Sequence, residues 1–290
     1  MNYSWTVLVL TVTVSFNLWS FTLNNNVDAA FDSEEVSINL SSSSTCINTG
    51  KSTSQILGYL EKAIDEFWNT VPTSNLRLKK GTLVSKGSDF ESDPLCQGGI
   101  NSPCTPNGGL TVSDGIFIAC NDNIVNFAST SIAAATLTNN IEGTAIKGAL
   151  ILLNDRTGSQ LASLDDGAFI SVIAHEIGHA IGLGHSPEKE NLMYYSTVTK
   201  RESLGWDDIE GTTYLYPKRD KLFGLIGCAP SGFAERDPEI TGEAVISPSH
   251  LRVTKEMEKN ETISALFSLL LGLLAMPFII ITLQKIKSRK

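Results

Sequence analysis

The residues from His175 to His185 read His-Glu-Ile-Gly-His-Ala-Ile-Gly-Leu-Gly-His and hold three of the chain's four histidines. This H-E-x-x-H-x-x-G-x-x-H pattern prescribes a helix, its end and the turn after it. His175 and His179 are four apart, so a helix stacks them on one face. Gly182 can take a left-handed conformation that ends the helix and turns the chain back. His185 then approaches as a third ligand. Three neutral imidazole nitrogens suit Zn²⁺ and leave one position open for water. Glu176, the next residue round the helix, can reach that position and is the candidate general base.

The rest of the chain has to bury this helix and deliver it to one side of a membrane. A formal net charge of −9 argues against a nucleic-acid partner, which would call for a basic surface. Residues 1–30 begin with an apolar, nearly uncharged run and read as a signal peptide with cleavage expected near Ala29-Ala30. The polar Ser/Asn-rich segment 31–50 is expected to be loosely ordered. Ile263 to Leu283 is an uncharged run long enough to span a bilayer, and Lys285, Lys287, Arg289 and Lys290 follow it. A transmembrane helix over 262–284 with a basic cytoplasmic tail at 285–290 places the catalytic residues outside the cell. Residues 219–261, rich in charge, Pro and Ser, read as a stalk that includes the fourth histidine, His250, as a solvent-exposed residue. Export favours two disulfides among Cys46, Cys96, Cys104 and Cys120, of unreadable connectivity, with Cys228 left over.

Between these ends, residues 51–218 form one α+β domain. Apolar residues at helical spacing mark a helix from Ser52 to Thr70, and Leu76–Val84, Gly115–Cys120, Ile132–Thr138 and Ile146–Leu153 read as strands. The Gly87–Gly109 stretch is a turn-rich loop. Ala168–Ile181 is the histidine helix, apolar away from the metal and therefore buried. Asp207, with Glu210 three residues later, is placed to cap a last short helix.

A methionine turn at Met193 follows the histidine motif, and together they resemble the metzincin metalloproteases. The segment Ala145–Pro217 is most similar to the matrixins: Ser186 follows the third histidine, Leu192-Met193-Tyr194 resembles their L-M-Y turn, and Leu204–Tyr216 resembles their closing helix. The resemblance implies a zincin-like fold with a twisted mixed sheet, and a zinc endopeptidase acting on protein or peptide substrates. His175, His179 and His185 would bind one catalytic zinc, Glu176 would be the base, and Met193 would be an apolar floor beneath the metal. Asp207 and Asp208 would tie the last helix to the core. An edge strand, expected at Ile146–Leu153, would pair with the substrate peptide. The alternative from another class is a surface adhesion or binding protein that keeps the zinc fold without turnover.

Three departures from the matrixin pattern matter. Tyr195 stands where matrixins have Pro, which gives Met193-x-Tyr195, similar to astacin- and serralysin-type turns in which the tyrosine approaches the zinc as ligand or oxyanion donor. No histidine precedes His175, so the second, structural zinc of animal matrixins cannot form in the same way. The P-R-C-G-x-P-D inhibitory switch is missing, which leaves Cys46 either as a latent cap on the zinc or, more in keeping with export, in a disulfide. Calcium sites are not readable, although Asp155, Asp165 and Asp166 are available oxygen donors.

Overall fold

The computed structural model describes residues 21–43, 45–98, 104–196 and 200–218, together with the backbone of 235–236 and 249–252. The apolar run 262–284 read as a membrane span, the basic tail, Cys228, most of the segment read as a stalk and residues 1–20 lie outside the described residues. No helix among the described residues is long and apolar enough to cross a membrane.

The chain runs β1 (Thr22–Leu23), β2 (Ala30–Phe31), β3 (Glu35–Ser41), α1 (Thr53–Glu66), β4 (Arg77–Val84), α2 (Asp89–Ser92), β5 (Cys96–Gln97), β6 (Thr105–Pro106), β7 (Gly115–Asn121), β8 (Ile132–Glu142), β9 (Ala145–Asn154), α3 (Asp166–Ala180), α4 (Trp206–Leu215), β10 (Glu235–Arg236) and β11 (Ser249–Arg252). The main sheet has the order β11-β8-β9-β7-β3-β4, with β2 pairing the start of β9. Strands β4, β3, β7 and β9 are mutually parallel, whereas β8 is antiparallel to β9. The domain is therefore α+β with a mixed sheet, as expected.

Alternation along the strands sorts the core into two layers. Ile116, Ile118, Ile151 and Leu153 face α1 and α3, while Phe117, Ala119, Leu150 and Leu152 face the loop that carries Phe90, Leu95, Leu110 and Val112. With apolar cover on both faces, β7 and β9 read as continuous hydrophobic runs. Helix α3 is buried along nearly its whole length, from Ala168 to Ala180. Each fully buried Phe, Ile or Val on it contributes about 1.5–3 kcal/mol. Helix α1 has a complete capping box, Ser52 with Gln55, and lies against α3 through Tyr59 and Phe169, whose ring centroids are 5.5 Å apart.

Several expectations need correction. Ile146–Leu153 is not an edge strand, because β9 lies between β8 and β7. From Gly148 to Leu153 every residue is buried, as expected of a strand with neighbours on both sides. The strand outside β9 is β8, which extends to Glu142 rather than stopping at Thr138. In this structure β11 lies antiparallel along its outer side. The Ser/Asn-rich segment is not loose: Glu35–Ser41 is an interior strand, with Val36, Ile38 and Leu40 at 2%, 0% and 0% exposure. Its alternation was masked by the polar residues on either side. Residues 21–30, placed within the leader, are also built into the domain, and Phe21, Leu23 and Ala29 are buried.

Candidate metal centre

Helix α3 begins at its N-cap Asp165, whose side chain accepts from the Ala168 amide at 2.8 Å. It ends two residues before Gly182, whose φ of +109° is open in practice only to glycine. A Cβ at Gly182 would stand 2.7 Å from the Ala29 carbonyl oxygen. The turn carries His185 back to His175 and His179, and one ligand atom from each of the three lies within 4.8 Å of the others.

Each helical histidine is oriented by a backbone carbonyl. His175 Nδ1 is 2.7 Å from the Leu192 oxygen, and His179 Nδ1 is 2.8 Å from the Leu183 oxygen. A carbonyl only accepts, so both Nδ1 atoms carry the proton and both Nε2 lone pairs are left for a metal. These Nε2 atoms are 3.0 Å apart. Two nitrogens on one tetrahedral zinc at ordinary bond lengths stand roughly 3.3 Å apart, so the pair fits with little movement. The donor set and its spacing fit zinc, and this is the one His/Cys/Asp/Glu cluster of metal-binding geometry among the described residues.

The turn bearing His185 is clamped by the N-terminal strand. The Gly184 amide donates to the Thr22 carbonyl at 2.8 Å, the Asn24 amide to the Gly182 carbonyl at 3.1 Å, and Asn24 Nδ2 to the His179 carbonyl at 2.5 Å. Thr22 Oγ1 donates to the His185 carbonyl at 2.5 Å. Reading residues 1–30 as leader hid Thr22 and Asn24, although a polar Asn-Asn-Asn run directly after an apolar segment was a visible sign that the leader had ended.

Met193 is buried beneath the motif, against Gly178: a Cβ there would meet Met193 Sδ at 2.2 Å and Trp68 Cζ2 at 2.8 Å. Trp68 is itself fixed by an indole N–H bond to the Ala174 carbonyl at 2.8 Å. Gly178→Ala therefore has to displace a held sulfur or a held ring. Overpacking of this kind costs about 1–3 kcal/mol, so thermal denaturation should show the variant melting roughly 4–8 °C lower. An unchanged melting temperature would mean that Met193 is not packed on the helix.

The methionine turn is tied to α4 by two aspartates. Asp208 accepts from the amides of Leu192 at 2.6 Å, Met193 at 3.0 Å and Gly205 at 2.8 Å. Burial pushes its carboxyl up to about 6, against the pull of those three donors. Asp207 accepts from Ser186 Oγ at 2.5 Å and Asn191 Nδ2 at 2.8 Å. The expected cap at Asp207 is two residues too late: the N-cap is Gly205, and Asp208 reaches back to its amide from the third helical position. The final Tyr216 hydroxyl donates to the Ile181 carbonyl at 2.7 Å and accepts from the Phe31 amide at 3.1 Å, joining the end of α4 to the end of α3.

Glu176 is fully buried, and burial pushes its carboxyl up to about 8, opposed by a hydrogen bond from Thr136 on β8. Thr136 Oγ1 donates to Glu176 Oε2, while Oε1 has no hydrogen-bond partner among the described residues. Thr136 was not singled out in the sequence. Tyr195 is 41% exposed, with its ring against Tyr194 at 4.6 Å between centroids. The calcium candidates do not converge. Asp165 caps α3, Asp166 pairs with Lys51 at 2.7 Å, and Asp155 accepts from the Asn48 amide at 2.6 Å. Cys46 is bonded to Cys120, and Cys96 to Cys104, so Cys46 is not a cap on the metal.

A buried helix presenting two carbonyl-oriented histidines, a glycine turn delivering the third, and a methionine beneath them form a centre that fits zinc and resembles that of the metzincins. Residues 113–217 match the sequence model of the Matrixin family, so over that segment the chain is similar to the matrixins. It is 50% identical over 69 residues to Metalloendoproteinase 2-MMP of Arabidopsis thaliana, which is 23% of this chain and 18% of that protein. It is 44% identical over 64 residues to Stromelysin-2 of Rattus norvegicus, covering 21% of this chain and 13% of the relative. Matrilysin of Rattus norvegicus is 44% identical over 57 residues, 19% of this chain and 21% of the relative. The aligned stretches thus span about a fifth or less of these relatives' lengths.

Proposed function

We propose that the protein is a zinc-dependent endopeptidase. The observation that carries this reading is Glu176: a buried carboxylate, one oxygen anchored and the other without a partner among the described residues, on the same helix as His175 and His179. Zinc held by His175, His179 and His185 would supply Lewis acidity toward the scissile carbonyl and bring the pKa of water in its open position near neutral. Glu176 takes a proton from the attacking water as its oxygen bonds to the carbonyl carbon. It passes that proton to the amide nitrogen as the C–N bond breaks, leaving a free acid and an amine. No covalent enzyme intermediate is involved.

Substrate peptides would add as an antiparallel strand to the outer edge of β8, the position that Ser249–Arg252 takes in this structure. The stretch from Ser186 to Trp206 would shape the pocket just past the cleaved bond, and Tyr195 would contribute its hydroxyl to the oxyanion. The apolar run 262–284 and the basic tail 285–290 support a single-pass anchor with the catalytic domain outside the cell. Incubating purified protein with a proteome-derived peptide library and sequencing the cut sites tests the activity and its preferences together. Cleavage should disappear with a chelator and return with Zn²⁺. Absence of any cut by zinc-loaded protein would instead favour a binding protein.

A further inference from the structure

The hydroxyl of Thr136 occupies a position that the hydrolytic reading does not by itself require. It stands on β8 shortly after Ala133 and Ala134, small residues that share the core layer of α3 and let the helix lie close to the sheet. Thr136 is 1% exposed and its Oγ1 reaches across to Glu176, donating to Oε2 and lying 3.4 Å from the Glu176 main-chain oxygen. A threonine side chain has restricted χ1 freedom, so this donor is fixed by the strand and not by a flexible stem. A carboxylate on a two-carbon stem otherwise has rotamers to choose from, and choosing among them costs rate whenever the wrong one is populated.

We propose that Thr136 is a positioning residue for the general base: it holds Oε2, fixes the carboxylate plane and leaves Oε1 as the atom that receives and returns the proton. This rests on the hydrolytic reading of the site. The donor also stabilises the ionised base in surroundings that disfavour charge. Thr136 itself touches neither substrate nor metal in this account.

The test compares Thr136→Val with Thr136→Ser in the full-length, zinc-loaded protein. Valine keeps the branched shape and removes the donor, and serine restores the donor without the methyl. A hydrogen bond to a charged partner corresponds to roughly a 10- to 100-fold change. Thr136→Val should therefore lose kcat by that factor with KM within twofold, and Thr136→Ser should recover most of the loss, both with wild-type zinc content. A Val variant within threefold of wild-type kcat, a Ser variant as slow as Val, or parallel changes in kcat and KM would each overturn the proposal. A wild-type protein that cleaves nothing would refute the hydrolytic reading instead. Crystal structures of the two variants then decide on Thr136 alone: a Glu176 carboxylate unmoved in Thr136→Val overturns it, and one displaced in Val but restored in Ser supports it.

Discussion

Replacing Glu176 with Gln should reduce peptide cleavage by about 10³-fold while zinc stays bound. General-base catalysis contributes about 10²–10⁴ in rate, and 10³ corresponds to about 4 kcal/mol of transition-state stabilisation. The amide is nearly isosteric, and its oxygen can still accept from Thr136, so the site should keep its shape. Glu176 is not in the ligand cluster, so zinc content measured after dialysis should match wild type. The loss should lie in kcat, because the base acts on water and not on substrate binding. Cleavage at an undiminished rate would remove Glu176 from the mechanism, and loss of zinc together with activity would mean that it supports the metal instead.

The same substitution has a stability signature in the metal-free protein. Burial raises the Glu176 carboxyl to about 8 from an ordinary 4.5. Between these values the folded state binds a proton that the unfolded state releases, so wild-type stability falls as pH rises. At pH 7 the penalty is on the order of 3 kcal/mol, at 1.36 kcal/mol per unit. Metal-free Glu176→Gln should therefore be more stable than metal-free wild type at neutral pH, and the two should converge below pH 4.5. A bound dication reverses the preference by favouring the carboxylate. The strain of holding an ionisable base in an apolar layer is thus relieved by the ion it serves.

The metal site was legible in the sequence because every one of its requirements is local. A four-residue spacing on a helix and a glycine that must take positive φ bring the ligands together whatever the rest of the chain does. Gly182 at +109° and the buried helix were both foreseeable from this. Met193 and the two aspartates could be read only through the family resemblance, since their role depends on a turn ten or more residues away. The sheet order was not legible at all. The run Ala149–Leu153 is apolar on both faces, which argues for an interior strand, yet the family resemblance put it at the edge, because a strand's neighbours in space are set by pairings across the chain. Thr136 escaped for the same reason. Its parity on β8 says which face it occupies, but the identity of the helix residue opposite depends on how α3 crosses the sheet. The clamp by Thr22 and Asn24 was lost by reading too much of the N-terminus as leader.

Connectivity of the cysteines was equally non-local, and it leads to the largest stability effect expected here. Cys46–Cys120 closes a sequence separation of 74 residues, whereas Cys96–Cys104 closes one of 8. Loop-closure entropy assigns about 4–5 kcal/mol to the first and about 2–3 kcal/mol to the second. The long loop contains α1, β4, nearly all of β7 and the second core's Phe90, Leu95, Leu110 and Val112, so opening it frees the unfolded chain across two strands of the seven-stranded sheet. Cys46 and Cys120 are both buried, which is why alanine is the better replacement: it leaves no polar group in the core. Thermal denaturation of Cys46→Ala/Cys120→Ala should show a fall of roughly 10–15 °C, against roughly 5–10 °C for Cys96→Ala/Cys104→Ala. Neither pair contributes to the histidine cluster, so both variants should retain wild-type kcat well below their melting temperatures. Equal melting shifts would show that residual structure already closes the long loop in the unfolded state, and a rise in activity on losing Cys46 would revive its role as a cap on the metal.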